Sequence, residues 1–199
     1  PIVGEGGVIP LEEGFVQAAA EIARELGALL VVDEVQSGTG RTGTFFAYEQ
    51  LGVRPDLVTL AKGLGNGLPI GALLVREGAA DAIGPGDHGS TFGGNPVACA
   101  AACAVVEAID EALLANVVAR GAQLAAGLGA LPGVNEVRGR GLLVAAVLDR
   151  EAAPIVDACR ELGLIVLTAG PDVLRLLPPL VVTESEVDEA LGVLAEALA

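Results

Sequence analysis

The sequence predicts an α/β fold: part of a larger domain built on a mostly parallel sheet, followed by a small α+β domain. Three observations predict it. Continuous apolar runs of strand length, Ala28 to Val32, Leu57 to Ala61 and Ile70 to Val75, read as strands, the first as one covered on both faces. Helical patterns alternate with the first of these runs, as in doubly wound sheets. Past residue 109 the chain changes to short strand-like stretches between helices, which places residues 1–109 and 110–199 in separate domains.

Taken in order, Gly4 to Gly7 is a glycine-rich turn carrying Glu5, and Pro10 can open a helix. From Leu11, apolar residues recur at Phe15, Ala18, Ala19, Ile22 and Leu26, the stripe of an amphipathic helix that stops at Gly27. The run to Val32 ends in Asp33-Glu34-Val35-Gln36, then a glycine-rich loop to Gly43 containing Arg41. A short helix is expected around Phe45 to Leu51, and Pro55-Asp56 leads into the second strand. Asn95-Pro96 reads as N-cap and first helical residue of an alanine-rich helix to about Ile109, with another from about Glu111 to Leu131. Beyond lie a strand-like stretch from Glu136 to Leu148, a helix from about Ala152 to Leu162, and a short strand at Leu164 to Leu167 that leads to Asp172 to Leu177. Thr183 with Glu186 forms a capping box that opens a final helix.

Charge narrows the function. With 11 basic and 26 acidic residues the net charge is −15, and no basic patch is present, which argues against nucleic acid or anionic membranes as partners. No apolar run reaches the length of a membrane span; Val97 to Val106 reads as a buried helix. One histidine, His88, argues against a multi-histidine metal site and a Ser-His-Asp triad, so no metal is expected. The cysteines, Cys99, Cys103 and Cys159, lack metal spacing and read as reduced core thiols of a cytoplasmic protein. The chain has no methionine and begins at Pro1-Ile2-Val3, which leads to the expectation that it is the C-terminal part of something larger.

One residue stands out. Of the 11 basic residues ten are arginine, and the single lysine is Lys62. A guanidinium is never deprotonated in proteins, whereas an ε-amine can lose its proton and attack a carbonyl. Lys62 follows an apolar strand and precedes the turn Gly63-Leu64-Gly65-Asn66-Gly67, where α/β proteins present reactive groups, so it is the leading candidate for a Schiff-base lysine. The plain alternative is a surface lysine. Asp33 ends another strand at the same kind of edge; it can be a general base, a metal ligand, a counter-ion or simple turn chemistry. Beside a Schiff-base lysine its best role is to bond a protonated pyridine nitrogen. Strand alternation places Val35 on the face of Asp33, where it can pack on that ring, and turns Glu34 away.

The ordered series Asp33-Glu34-Val35-Gln36, Gly40-Arg41-Thr42-Gly43, Ala61-Lys62-Gly63-Leu64-Gly65-Asn66-Gly67-Leu68-Pro69-Ile70-Gly71 and His88-Gly89-Ser90-Thr91-Phe92-Gly93-Gly94-Asn95-Pro96 resembles the class III (ornithine-type) pyridoxal-phosphate aminotransferases. The resemblance covers essentially the whole chain and is nearest to the branch acting on acetylornithine and other blocked ω-amino acids. It implies a fold-type-I transferase whose large domain is continued here and closed by the small C-terminal domain. It implies that Lys62 holds pyridoxal phosphate and shuttles a proton, that Asp33 holds the ring nitrogen and Gln36 the ring hydroxyl. Thr91, with Ser90 beside it, would bind the phosphate of a neighbouring subunit's cofactor, making a homodimer with shared sites. Arg175 would take a substrate carboxylate, paired in turn with Glu5, which swings aside for glutamate or 2-oxoglutarate. The alternative for these last residues is a loop glutamate and a structural arginine, and for Ser90 and Thr91, loop hydroxyls before a helix.

Two positions depart from the family pattern: Gly63 to Gly67 replaces the frequent Ala-Leu-Gly-Gly-Gly, and Val3 stands where glutamine is usual. The family's glycine-rich phosphate loop, ring-stacking aromatic and second carboxylate-binding arginine belong to an N-terminal half and are absent. The implied reaction is transfer of a terminal amino group from N2-acetylornithine or a similar donor to 2-oxoglutarate, in arginine or lysine biosynthesis. Rivals are ornithine, succinylornithine, 4-aminobutyrate and carrier-linked aminoadipate-semialdehyde aminotransferases, and a catalytically silent fragment. A nucleotide-binding module using Gly63 to Gly67 lacks both a following P-loop lysine and a Gly-x-Gly-x-x-Gly spacing.

Overall fold

The computed structural model describes residues 1–199. In chain order its elements are β1 (Ile2–Val3), β2 (Ile9–Pro10), α1 (Glu13–Leu26), β3 (Val31–Asp33), β4 (Leu57–Leu60), β5 (Ala72–Val75) and α2 (Pro96–Ala108). They continue as α3 (Glu111–Gly129), β6 (Val134–Arg140), β7 (Leu143–Leu148), α4 (Ala152–Glu161), β8 (Leu167–Thr168), β9 (Val173–Leu176) and α5 (Glu184–Leu198). Short 3-10 turns occupy Ala47–Leu51, Lys62–Gly65 and Glu77–Ala82. Two compact units result: Pro1, Leu11–Gly40 and Thr44–Asp110 form the first, and Ile2–Pro10, Arg41–Gly43 and Glu111–Ala199 the second.

The first unit holds a three-stranded sheet in the order β3-β4-β5. Strands β3 and β4 are parallel, with Val31 opposite Leu57 and Asp33 opposite Thr59, whereas β5 runs antiparallel to β4. Connection length explains the difference. A parallel return needs a dozen or more residues, usually with a helix, and residues 61–71 offer only a 3-10 turn and a loop. Leu57, Val58 and Leu60 are buried, but Leu29 and Val31 are exposed, so the run Ala28 to Val32 is not covered on both faces within this chain, which corrects that expectation. Helix α1 closes on Gly27 in the left-handed region (φ 65°), whose N–H bonds back to the last turn. Helix α2 opens as its sequence dictates: Asn95 Oδ1 accepts the Ala98 N–H at 2.9 Å, with Pro96 as first helical residue.

The α1 stripe lies open in this chain: Phe15, Ile22 and Leu26 are exposed and Val16 is the buried residue. The helix has the predicted apolar face, but these 199 residues do not cover it. The buried helix expected at Val97 to Val106 is corrected: α2 buries only Ala98 and Ala102, and Val97 and Val106 are exposed. Cys103 is therefore exposed and Cys99 half-buried, and only Cys159 is the core thiol expected, with burial raising its pKa.

The second unit is an antiparallel sheet in the order β6-β7-β9-β8, with α3, α4 and α5 on one face. The stretch 136–148 turns out to be a hairpin, β6 and β7, folded at Gly141-Leu142. Side chains of β7 alternate. Val144, Ala146 and Leu148 pack with Leu124, Leu128 and Leu194 of the helices, while Leu143 and Ala145 pack on the other face with Val8 and Val173. Helix α3 is, by length and composition alone, long and apolar enough to cross a membrane. Its Val117, Leu124 and Leu128 join this core, which gives that apolarity a structural use. Helix α5 carries the full capping box, with Thr183 and Glu186 bonding each other's backbone N–H groups.

Candidate active site

Parallel pairing fixes where the two leading residues emerge. Asp33 is the last residue of β3 and lies in register with Thr59; Lys62 comes two positions after the end of β4. Both therefore leave the sheet at its C-terminal edge, where ligands of open α/β sheets collect. The exposed Asp33 carboxylate is oriented through one oxygen: Oδ1 accepts the Val35 N–H at 2.9 Å and the Thr59 hydroxyl at 3.1 Å. Its Oδ2 makes no hydrogen bond within the chain. Glu34 points the other way and is buried (1% exposed), accepting from the Ser37 hydroxyl and, at 2.8 Å, from the Tyr48 N–H. The neighbouring acids thus divide their work: Glu34 staples the following loop, and Asp33 faces outward with one oxygen held. Val35 and Gln36 follow, both half-buried.

Lys62 opens the 3-10 turn with φ 45°, a left-handed conformation that a non-glycine residue adopts only at a cost of about 1–3 kcal/mol. Its side chain is exposed and makes no hydrogen bond or ion pair within the chain. Ser90 and Thr91 lie in the loop before α2. The Ser90 hydroxyl accepts the Gly93 N–H at 2.9 Å, whereas the Thr91 hydroxyl has no partner in the chain. Ser90 and His88 border a cavity of about 1010 Å³ floored by Leu60, Ile70 and Ala72.

In the second unit, β-alternation decides the fate of Arg175. Leu174 and Leu176 point to the helices, so Arg175 takes the opposite face, beside Ala145 in register and under the Gly4 to Val8 turn. It is buried (7% exposed side chain), and Nη1 donates to Glu5 Oε1 at 2.7 Å and to the Gly4 carbonyl at 3.3 Å. Its Nε is buried with no partner. Glu5 is by contrast 76% exposed. The structure therefore brings Arg175 and Glu5 together, as it brings Asp33 and Lys62 to one sheet edge.

Two contributors escaped the sequence reading. Thr59 orients Asp33, and only the strand register reveals it. Arg41, read only as part of a motif, donates to the Leu142 carbonyl at 3.2 Å and to the Pro178 carbonyl just beyond β9. Desolvation by burial lowers its pKa to about 10. No carboxylate is among its partners; a lone arginine among glycines gave no hint of that.

The fold belongs to a known class. Residues 1–198 match the family model Aminotransferase class-III, and the chain is a member of that family. It is 53% identical to the acetylornithine aminotransferase of Gloeobacter violaceus, over 98% of this chain and 50% of that protein. It is 51% identical to the acetylornithine aminotransferase of Corynebacterium efficiens, over 100% of this chain and 50% of the relative. Among solved structures, the N-acetylornithine aminotransferase of Stenotrophomonas maltophilia superposes with TM-score 0.87 at 43% identity, covering 99% of this chain and 54% of that one. An ornithine aminotransferase from Toxoplasma gondii, described as carrying pyridoxal phosphate at partial occupancy in its active site, gives TM-score 0.91 at 38% identity, over 100% and 49%. The architecture is accordingly that of the pyridoxal-phosphate transferases. The chain spans about half the length of the curated relatives it matches.

The residues present fit pyridoxal phosphate. The open Oδ2 of Asp33 can accept from a ring N–H, the unpartnered Lys62 amine can hold an aldehyde carbon, and the unpartnered Thr91 hydroxyl can donate to a phosphate.

Proposed function

We propose that the full-length protein is a pyridoxal-phosphate-dependent aminotransferase that moves the terminal amino group of N2-acetylornithine, or a similarly blocked ω-amino acid, to 2-oxoglutarate. The donor's terminal carbon becomes an aldehyde, and the C2 carbonyl of 2-oxoglutarate becomes the amine of glutamate. The observation that carries this reading is the joint placement of an outward carboxylate, Asp33, and an unpartnered amine, Lys62, at one edge of a parallel strand pair. In this reading the first unit is the C-terminal portion of the cofactor-binding large domain, and the second is the small domain. Two copies of the chain share their sites through Ser90 and Thr91.

Bound there, pyridoxal phosphate supplies an aldehyde carbon and an electron-withdrawing ring. Asp33 keeps the ring nitrogen protonated, and Thr59 and the Val35 N–H keep Asp33 aimed. Val35 packs on the ring and Gln36 bonds its hydroxyl. Lys62 would take a proton from the donor's reacting carbon and return it at the aldehyde-derived carbon, a task an amine can do and a guanidinium cannot. Arg175 binds the dicarboxylate. Its bond to Glu5 joins a buried guanidinium to a carboxylate that is 76% exposed, so Glu5 can turn into solvent and a substrate carboxylate can take its place. The orphan Nε is a second donor for the incoming group. Glu5 then neutralises Arg175 whenever the donor, which has no acid at that end, occupies the pocket.

Borohydride fixes pyridoxal phosphate to whichever amine holds it. Peptide mapping of the reduced full-length protein should find the label on the Lys62 peptide; label elsewhere rejects the mechanism. Turnover of acetylated against free ornithine then separates this donor from its rivals.

A further inference from the structure

A second site is built at the opposite edge of the first unit's sheet. Because β3 and β4 are parallel, their first residues share that edge, and the end of antiparallel β5 joins them. A cleft of about 660 Å³ opens there, within the range of roughly 300–1,000 Å³ usual for small-molecule sites. Arg24 reaches it from the last turn of α1, Arg54 from the loop before β4, and Arg76 from the residue after β5. Asp33 and Lys62 stand at the other edge, so this cleft is no part of the candidate active site.

The acid at its floor is already committed. Asp56 accepts the Leu30 N–H at 2.8 Å and pairs with Arg76, which ties the starts of β3 and β4 to the end of β5. The guanidinium groups of Arg24 and Arg54 make no hydrogen bond or ion pair within the chain, although the chain has 26 acidic side chains. The charged groups lining the cleft are three arginines against Glu21 and Asp56, one net positive charge in a chain of −15. Its other wall is apolar, from Ala23, Leu29 and Val53. Guanidinium forks match phosphate and carboxylate oxygens in geometry and keep their charge at any physiological pH.

We propose that this cleft binds a small multivalent oxyanion, a metabolite carrying phosphoryl or carboxylate groups, through Arg24 and Arg54 with the remaining donors of Arg76. Pyrophosphate and, separately, citrate are titrated calorimetrically into full-length protein saturated with pyridoxal phosphate, so that the cofactor's phosphate cradle is filled. The expected result is saturable binding that weakens at least roughly tenfold in R24A/R54A, while R160A on α4 binds as before. Tighter pyrophosphate assigns the site to phosphorylated ligands, and tighter citrate to polycarboxylates. Arginine modification of the unaltered protein, mapped by mass spectrometry, checks the site without any variant: the bound anion should protect Arg24 and Arg54. No saturation by either anion up to about 10 mM, an affinity unmoved in R24A/R54A, or modification without protection overturns the proposal.

Discussion

Replacing Gly121 with alanine tests a close approach of helix to hairpin in the second unit. A Cβ on Gly121, in the middle of α3, would lie 2.3 Å from the carbonyl oxygen of Gly141 and 2.6 Å from its carbon. Ordinary contact begins at 3.4 Å, so helix and hairpin must part by 3.4 − 2.3 = 1.1 Å. The hairpin has little room to yield. Gly141 sits at φ 56°, any Cβ of its own would stand 2.7 Å from the Arg41 carbonyl oxygen, and the next N–H, of Leu142, is bonded to that same oxygen at 3.0 Å. Overpacking against such a backbone costs about 1–3 kcal/mol, and the rigidity of both partners puts this case at the upper end. Helix propensity works the other way, since alanine is worth about 1 kcal/mol over glycine in a helix interior. The balance is a loss of about 2 kcal/mol. Gly192 in α5 supplies the control, because nothing lies within 4 Å of its added Cβ. Thermal unfolding of the full-length protein by circular dichroism should therefore place Gly121→Ala below the parent and Gly192→Ala at or above it. If Gly121→Ala melts with or above Gly192→Ala, the close approach is wrong.

Three other variants probe the remaining claims. Thr59→Val removes the hydroxyl that orients Asp33 and should weaken pyridoxal phosphate binding by up to about tenfold, the worth of one hydrogen bond of roughly 0.5–1.5 kcal/mol; an unchanged fluorescence titration denies Thr59 this role. Glu5→Ala leaves Arg175 without its carboxylate when the donor is bound, so kcat/KM for the donor should fall about tenfold or more while 2-oxoglutarate saturates nearly as before. Equal losses in both half-reactions would make Glu5 structural only. Glu186 accepts from the Thr183 N–H and hydroxyl, which holds its pKa below the ordinary 4.5. An acid with a depressed folded pKa stabilises above its unfolded value and loses that contribution as pH falls through the folded one. Glu186→Ala should accordingly melt below the parent at pH 7, with the gap closing as pH drops under 4.5; a gap independent of pH excludes the capping carboxylate as its cause.

Local chemistry was legible wherever one residue dictates one geometry. Asn95-Pro96 had to start a helix, Gly27 to end one, and Thr183 with Glu186 to cap another, because each satisfies backbone groups that have no other partner. Pairing was legible only in part. The run 136–148 showed strand chemistry throughout, but the fold at Gly141 depends on a positive φ and on the clasp with Arg41, neither of which apolar pattern encodes. The direction of β5 likewise follows from the length of residues 61–71 and not from the apolar run itself. Hydrophobic period predicted that α1 has an apolar face; it could not say what covers that face, and Phe15, Ile22 and Leu26 are open here.

The candidate site divides along the same line. Asp33 and Lys62 could be found from composition and strand ends, since parallel strands deliver their last residues to one edge whatever the intervening sequence. Their supporting group could not, because Thr59 reaches Asp33 across a register that no single strand specifies. Arg175 is the intermediate case. Its apolar neighbours announce a buried charge, and burial requires a partner, but many acids in the chain could serve. Alternation removes most of them: with Leu174 and Leu176 packed on the helices, the arginine must face the turn that brings Glu5 and the Gly4 carbonyl. The orphan Nε is what this arrangement leaves over, a buried donor costing about 1–3 kcal/mol that a second carboxylate oxygen would relieve.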